Sequence, residues 1–243
     1  MSSAVERLLP NLPQDILDGS PIGAAPLMLS GASEGADTAF GRCALAAGHT
    51  SAHILGPRNV PSAECVSSQA DALYRVGDEL LDSEEISAAL ERASRLRLGA
   101  SSRMSGDLRD SRRNYLQVRR AELCLCVAYR LPPSAEAPAL DIGGGTGWAA
   151  QWYADRFRPR GAEDPSLCQL YLFDDGDPSW PGCHVDERTH RRWSKWCVEE
   201  GAWSPLAKGE LPPRPATARV YAGIGSTVLS TEGEQAIAAL FTS

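Results

Sequence analysis

Leu27-Met28-Leu29-Ser30-Gly31-Ala32-Ser33-Glu34-Gly35 opens the stretch whose reading decides the fold. Leu27 to Leu29 is a short apolar run that stops at Ser30-Gly31, as a buried strand does. Gly31 to Gly35 then reads as a glycine-containing turn. Ala36 to Ala47 is rich in helix formers and stops at Gly48, a residue suited to a helix C-terminus. Ser51 to Leu55 reads as the next strand. Strand, glycine turn, helix and strand in that order make one βαβ unit, so the expected fold is α/β with a parallel sheet.

The same grammar returns along the chain. Asp82-Ser83 is positioned to cap a helix in which Ile86, Leu90, Ala93 and Leu96 or Arg97 recur at helical spacing, with Gly99 closing it. Ala100 to Asp107 reads as a loop and Ser111 to Arg119 as another helix. Leu123 to Tyr129 is apolar at almost every position, as a parallel strand covered on both faces should be. Leu131 to Pro138 is a proline-rich loop. A second glycine turn, Gly143-Gly144-Gly145-Thr146-Gly147, follows Ala139 to Ile142 and precedes a helix from about Trp148 to Phe157. Gln169 to Phe173 is a further strand, and Trp180, Trp193, Trp196 and Trp203 cluster after it. Val220-Tyr221 leads into Ala222-Gly223-Ile224-Gly225-Ser226, and a last helix runs from Glu232 to Phe241. The expected organisation is an N-terminal arm over 1–26 and a Rossmann-like domain over 27–175 with helices on both faces. A small Trp-rich C-terminal extension over 176–243 packs on that domain as its satellite core.

Composition narrows the function. The chain carries 24 basic and 31 acidic residues, a net of −7, which argues against general coating of nucleic acid. Only Lys195 and Lys208 are lysines. Ten arginines and three acids fall between Arg92 and Arg130, a local balance of +7 that leaves −14 for the rest. A basic segment inside an acidic protein points to a confined anionic ligand. The seven cysteines are odd in number, and the opening MSSAVERLLPNLPQ lacks the basic flank and apolar stretch of a signal peptide. The expectation is a cytoplasmic protein with reduced thiols and no membrane span. Cys124 and Cys126 share one face of their strand as small hydrophobes. The spacing of Cys183, His184, His190 and Cys197 matches no compact zinc pairing, so no metal and no cofactor are assigned.

The two glycine turns carry the chemistry. Glycines let the backbone approach a ligand, and a helix N-terminus offers free N–H groups to an anion. Both turns would lie at the C-terminal edge of a parallel sheet, where open α/β folds bind ligands. Neither is a GxxxxGK[ST] loop or a GxGxxG fingerprint. Ser30-Gly31-Ala32-Ser33-Glu34-Gly35-Ala36-Asp37, Arg112-Arg113-Asn114-Tyr115-Leu116-Gln117 and Gly143-Gly144-Gly145-Thr146-Gly147-Trp148-Ala149-Ala150-Gln151 together resemble the SLOG superfamily of Rossmann-like domains. That superfamily includes the lonely-guy phosphoribohydrolases, DprA-like proteins of DNA uptake and nucleotide-sensing domains. Ala222-Gly223-Ile224-Gly225-Ser226 is similar to a GIGSR element found near the end of one branch.

The resemblance implies a nucleotide-like ligand held by both turns. Gly143, Gly144, Gly145, Thr146 and Gly147 would cradle a phosphate. Gly31, Ala32 and Gly35 would approach the base or sugar, with Asp37 accepting from a ribose hydroxyl. Arg112 or Arg113 would pair with phosphate, where a guanidinium fork suits two oxygens at once, and Asn114 would contact the base or cap and pack. Two departures bear on catalysis. Where the lonely-guy motif PGGxGTxxE has a glutamate that helps cleave an N-glycosidic bond, this chain offers Gln151, which cannot serve as a general base. The arginine of GIGSR is missing as well. Asp37, Glu34 or Asp141 would have to supply a carboxylate. The expected function is therefore binding of a nucleotide or nucleoside-phosphate-derived ligand, as a sensor or carrier that could be a homo-oligomer. The alternatives are an N-glycosidic-bond hydrolase, with Asp37 and Gln151 as the candidates, and a DprA-like single-stranded DNA binder.

Overall fold

The computed structural model describes residues 9–19, 23–97, 108–132, 140–158, 163–177, 179 and 182–242. The predicted helix end at Gly99, the loop over 100–107, residues 133–138 of the proline-rich loop, Trp180 and parts of the 1–26 arm lie outside them. The strands are β1 (Leu27–Ser30), β2 (Thr50–Leu55), β3 (Leu73–Arg75), β4 (Leu123–Ala128), β5 (Leu170–Asp174), β6 (Trp193–Cys197), β7 (Ala202–Pro205) and β8 (Val220–Gly225). The helices are α1 (Gln14–Leu17), α2 (Ala36–Ala46), α3 (Ala63–Ser68), α4 (Asp78–Leu81), α5 (Glu84–Arg97), α6 (Leu108–Val118), α7 (Gly144–Asp155) and α8 (Thr231–Ala239).

The strands form one eight-stranded sheet in the order β3-β2-β1-β8-β4-β5-β6-β7. From β3 to β5 every pairing is parallel, as expected, whereas β6 pairs antiparallel with both β5 and β7, so the sheet is mixed. The connection through 175–192 has no crossover helix among its described residues, and the chain returns beside β5 antiparallel.

Strand alternation sorts the core onto two faces. Cys124 and Cys126 of β4, with Leu170, Leu172, Ala222 and Ile224, pack against Trp148, Trp152 and Tyr153 of α7 and Ala89 and Ala93 of α5. Leu123, Leu125 and Val127 point the other way, with Phe173 and Tyr221, against Phe40 and Ala44 of α2 and Ile237 of α8. Towards β3, the α6 residue Leu116 joins Leu27, Leu29, Ala52, Ile54 and Ile86. Helices thus cover both faces. The arm contributes too: Leu12 and Ile16 enter this last cluster, and Asn11 bridges to Arg75 of β3.

The boundary expected at residue 175 runs through the sheet rather than around it. β8 lies between β1 and β4, at the centre of the fold. Its sequence Val-Tyr-Ala-Gly-Ile-Gly reads poorly as a strand because two glycines interrupt it. Packing explains both. A Cβ on Gly223 would lie 2.6 Å from the Phe40 ring, and one on Gly225 would overlap the Val127 carbonyl oxygen and the Ala36 methyl. α2 sits that close to β8 because neither position has a side chain. The tryptophans do not form one satellite core: Trp196 and Trp203 join the α7 face, while Trp193 packs on Phe173 of the other.

Candidate functional site

The C-terminal ends of β1, β8 and β4 open into a cavity of about 300 Å³. The chain leaves β1 towards β2 and β3 but leaves β4 in the opposite direction, towards β5. Such a reversal leaves a crevice at the strand ends, where open α/β sheets take their ligands. The start of α7, one face of α6, the β1–α2 loop and residues 224–228 line it.

The glycine turn at 143–147 is not a loop before a helix. Gly143 is the N-cap and α7 begins at Gly144, four residues earlier than expected. Gly144 holds φ at 60°, a left-handed conformation open to glycine. A Cβ on Gly143 would come within 2.7 Å of the Tyr129 ring, so this cap fits only without a side chain. No side chain caps the helix among the described residues. The N–H groups of the first turn have no acceptor within a helix, and their partial positive charge faces the cavity along which Gly144, Gly145 and Thr146 lie.

The α6 wall is cross-linked to its neighbours. Asn114 donates from Nδ2 to the Gly145 carbonyl at 3.1 Å, fixing α6 against the α7 start. The buried Arg113 donates from Nη1 to the Ile54 carbonyl at 3.0 Å and from Nη2 to Ser33 Oγ at 3.3 Å. Its guanidinium lies over Gly31, where any Cβ would overlap it. Gly31 therefore seats Arg113 and does not itself line the cavity.

Asp37 closes the third side. Its Oδ1 accepts from Gly225 N at 3.1 Å and its Oδ2 from Ser33 N at 3.3 Å, tying α2 and the β1–α2 loop to the end of β8. Burial pushes its carboxyl above the usual range, opposed by the Arg113 charge and these N–H donors. Gly35 (φ 80°) caps α2 beside residues 226–227, with Ser226 O only 2.6 Å from where a Cβ would sit.

Of the residues expected at the ligand, Asp37, Arg113, Asn114, Gly143, Gly144, Gly145 and Thr146 converge on this cavity. Arg112 is not brought there: it pairs with Asp82 and donates to the Leu81 carbonyl. Arg113, Asn114 and Gln117 set the cavity face of α6, and Arg112 lies about 100° of helix rotation beyond Arg113, on the side away from Asn114. Ala32 (φ 56°) is buried with Leu55, Cys65 and Leu73, and its carbonyl accepts from Ser62 N at 2.8 Å. Gly31, Gly35 and Gly147 do not line this cavity, and Gly35 lines the neighbouring one. Gln151 is fully buried further along α7 and donates to Asp155 at 2.8 Å. Asp141 is held by Arg130, 2.6 Å away, and Glu34 is exposed beside a different cavity. Sequence reasoning passed over Ser33, Gln117, Tyr129 and Ser226 to Val228, all of which line the cavity. For Gln117 the signal was present, since it lies one helical turn from Arg113 and Asn114 on the same face.

His53 of β2 lies behind the Arg113 wall. It is fully buried, with Nε2 2.6 Å from Gln69 Oε1, which makes Nε2 the protonated nitrogen of a neutral ring. Burial, with the nearby Arg113 charge, holds its pKa down at about 4 against an ordinary 6.5. The native state therefore binds fewer protons than the unfolded chain between those values. Stability from this group is fully present above pH 6.5 and is lost as pH falls towards 4, by as much as ~3 kcal/mol. Melting temperatures of wild type and His53→Asn across pH 4–7 test this. The wild-type loss in that window should exceed the variant's, and parallel curves would refute the assignment.

No family model, curated protein or solved structure matches the chain.

Proposed function

We propose that this cavity binds a nucleotide or nucleoside-phosphate-derived ligand and that the chain serves as its sensor or carrier. The observation that carries the reading is the convergence of the uncapped first turn of α7 and the Arg113 guanidinium on one cavity at the sheet's reversal point. Oriented backbone N–H groups and a fixed guanidinium are what a phosphate needs. The volume lies at the small end of the range for small-molecule sites, which suits a single nucleoside monophosphate or sugar phosphate. The resemblance of the motifs to the SLOG superfamily supports the same ligand class.

Binding without turnover is favoured by the position of the carboxylates. Asp141 is engaged by Arg130, Glu34 lies beside a different cavity and Gln151 carries no carboxylate, so the N-glycosidase alternative rests on Asp37 alone. Both Asp37 oxygens accept backbone hydrogen bonds that hold two walls together. The DprA-like alternative meets the net charge of −7.

A thermal-shift screen of nucleoside mono-, di- and triphosphates, ADP-ribose, cyclic dinucleotides and pterin phosphates tests the reading, each hit being recovered and chromatographed. Ligand at about 100 times its Kd should add ~2.7 kcal/mol, a rise of roughly 5–11 °C for a chain of this size. A hit recovered intact supports a sensor or carrier. Recovery as free base and sugar phosphate would make the protein a hydrolase acting through Asp37. No shift with any phosphate compound would overturn the proposal.

A further inference from the structure

Gln117 is the buried polar group that the fold itself leaves unused at this cavity. Its side chain is 2% exposed and lines the cavity, yet its Nε2 has no hydrogen-bond partner among the described residues. Buried amides are almost always hydrogen-bonded, because an unsatisfied one forfeits its hydration for nothing. A side chain of the same length without polar atoms would serve the fold better here. The amide is thus a group whose partner is to be sought in the cavity.

Its surroundings indicate what kind of partner. Along α7, Ala149 follows Thr146 by one turn; along α6, Gln117 follows Asn114 by one turn; and Asn114 is bonded to Gly145. The two helices therefore carry the cavity inward together, from the α7 N-terminus to an end lined by Gln117, Ala128, Ala149 and Ile224. That inner end has one polar side chain and no charge. It lies about 4.5 Å of helix rise from Thr146 in the first turn of α7, comparable with the reach from a 5′-phosphate to its sugar.

Resting on the reading of the cavity as a nucleoside-phosphate site, we propose that the Gln117 carboxamide is its specificity contact. It hydrogen-bonds a neutral polar group of the ligand, a sugar hydroxyl or a nucleobase edge, while the phosphate stays at α7. A carboxamide offers a donor and an acceptor side by side, so it discriminates against ligands that present an apolar surface there.

Gln117→Met, with Gln117→Leu as a second variant, tests this with inorganic phosphate, ribose 5-phosphate, AMP and GMP as probes, titrated by calorimetry alongside melting of the free protein. Without ligand, at least one variant should melt no lower than wild type, because an unsatisfied buried amide has been removed. Affinity for the organic phosphates should fall at least about tenfold, while inorganic phosphate stays within about twofold. Loss with ribose 5-phosphate assigns the contact to the sugar; loss confined to AMP or GMP assigns it to the base. Either supports the proposal. Unchanged affinity for every organic phosphate that wild type binds would overturn it and leave the site reading intact. So would equal weakening of inorganic phosphate, or a marked loss of ligand-free stability in both variants, which would reveal an internal partner. If wild type binds none of the four probes, the Gln117 proposal falls, and the site reading stands or falls with the wider phosphate screen.

Discussion

Alanine at position 225 should destabilise the protein by about 3 kcal/mol, the upper end of what overpacking costs, and lower its melting temperature by roughly 6–12 °C. The added methyl would overlap the Val127 carbonyl oxygen and the Ala36 Cβ. Neither can swing aside as a side-chain tip could. Val127 O already accepts the Ser226 N–H at 2.9 Å, and Ala36 sits in the first turn of α2. Relief requires moving α2 off the centre of the sheet, which also strains the bond from Gly225 N to Asp37. Gly144→Ala is the comparison. Nothing lies within 4 Å of its new Cβ, so only the left-handed backbone opposes it, at about 1–2 kcal/mol. Thermal or denaturant unfolding of the two variants should rank them in that order. A Gly225→Ala protein as stable as wild type would refute the close packing of α2 on β8.

Thr146→Asp should abolish phosphate-ligand binding while leaving the fold intact. Position 146 is the third residue of α7, where a carboxylate complements the helix dipole, so the free protein should be as stable as wild type or up to about 1 kcal/mol more so. The same carboxylate occupies the cavity wall. Two like charges about 4 Å apart repel by roughly 4 kcal/mol at an effective dielectric of 20, enough to reduce affinity at least ~100-fold. Thr146→Val removes only a hydroxyl and should cost about tenfold or less. Calorimetric titration of the best ligand from the screen, with melting curves of each free variant, separates binding from stability. Retained affinity in Thr146→Asp would remove the phosphate from the α7 N-terminus.

Much of this molecule is legible in local sequence. The run Leu27 to Ser30, the helix to Ala46 and the strand to Leu55 each follow from short-range pattern. The uninterrupted apolar run at 123–128 announces a strand covered on both faces. The glycines at 143–147 mark a place where the backbone lines the cavity, although they form the first turn of the helix rather than a loop before it. Helix starts are hard to place among glycines because the residues that signal a start, a polar N-cap and a run of good helix formers, are both missing there.

Sequence alone determined the parallel βαβ grammar and most of the elements around it, but not β3, β6, β7, α3 or α4. Only the tertiary structure decided which residues meet at the cavity. The place of β8 between β1 and β4 is a pairing between segments about 190 residues apart in the chain for β1 and about 100 for β4, and no local pattern encodes it. Its glycines, which weaken a strand by propensity, are required by the approach of a helix from the opposite end of the sequence. The choice of Arg113 over Arg112 turns on about 100° of helix rotation. The amide of Gln117, without a partner among the described residues, is visible as such only once the packing around it is in place. Local propensity acts over a few residues, whereas burial and hydrogen-bond satisfaction are properties of the packed whole.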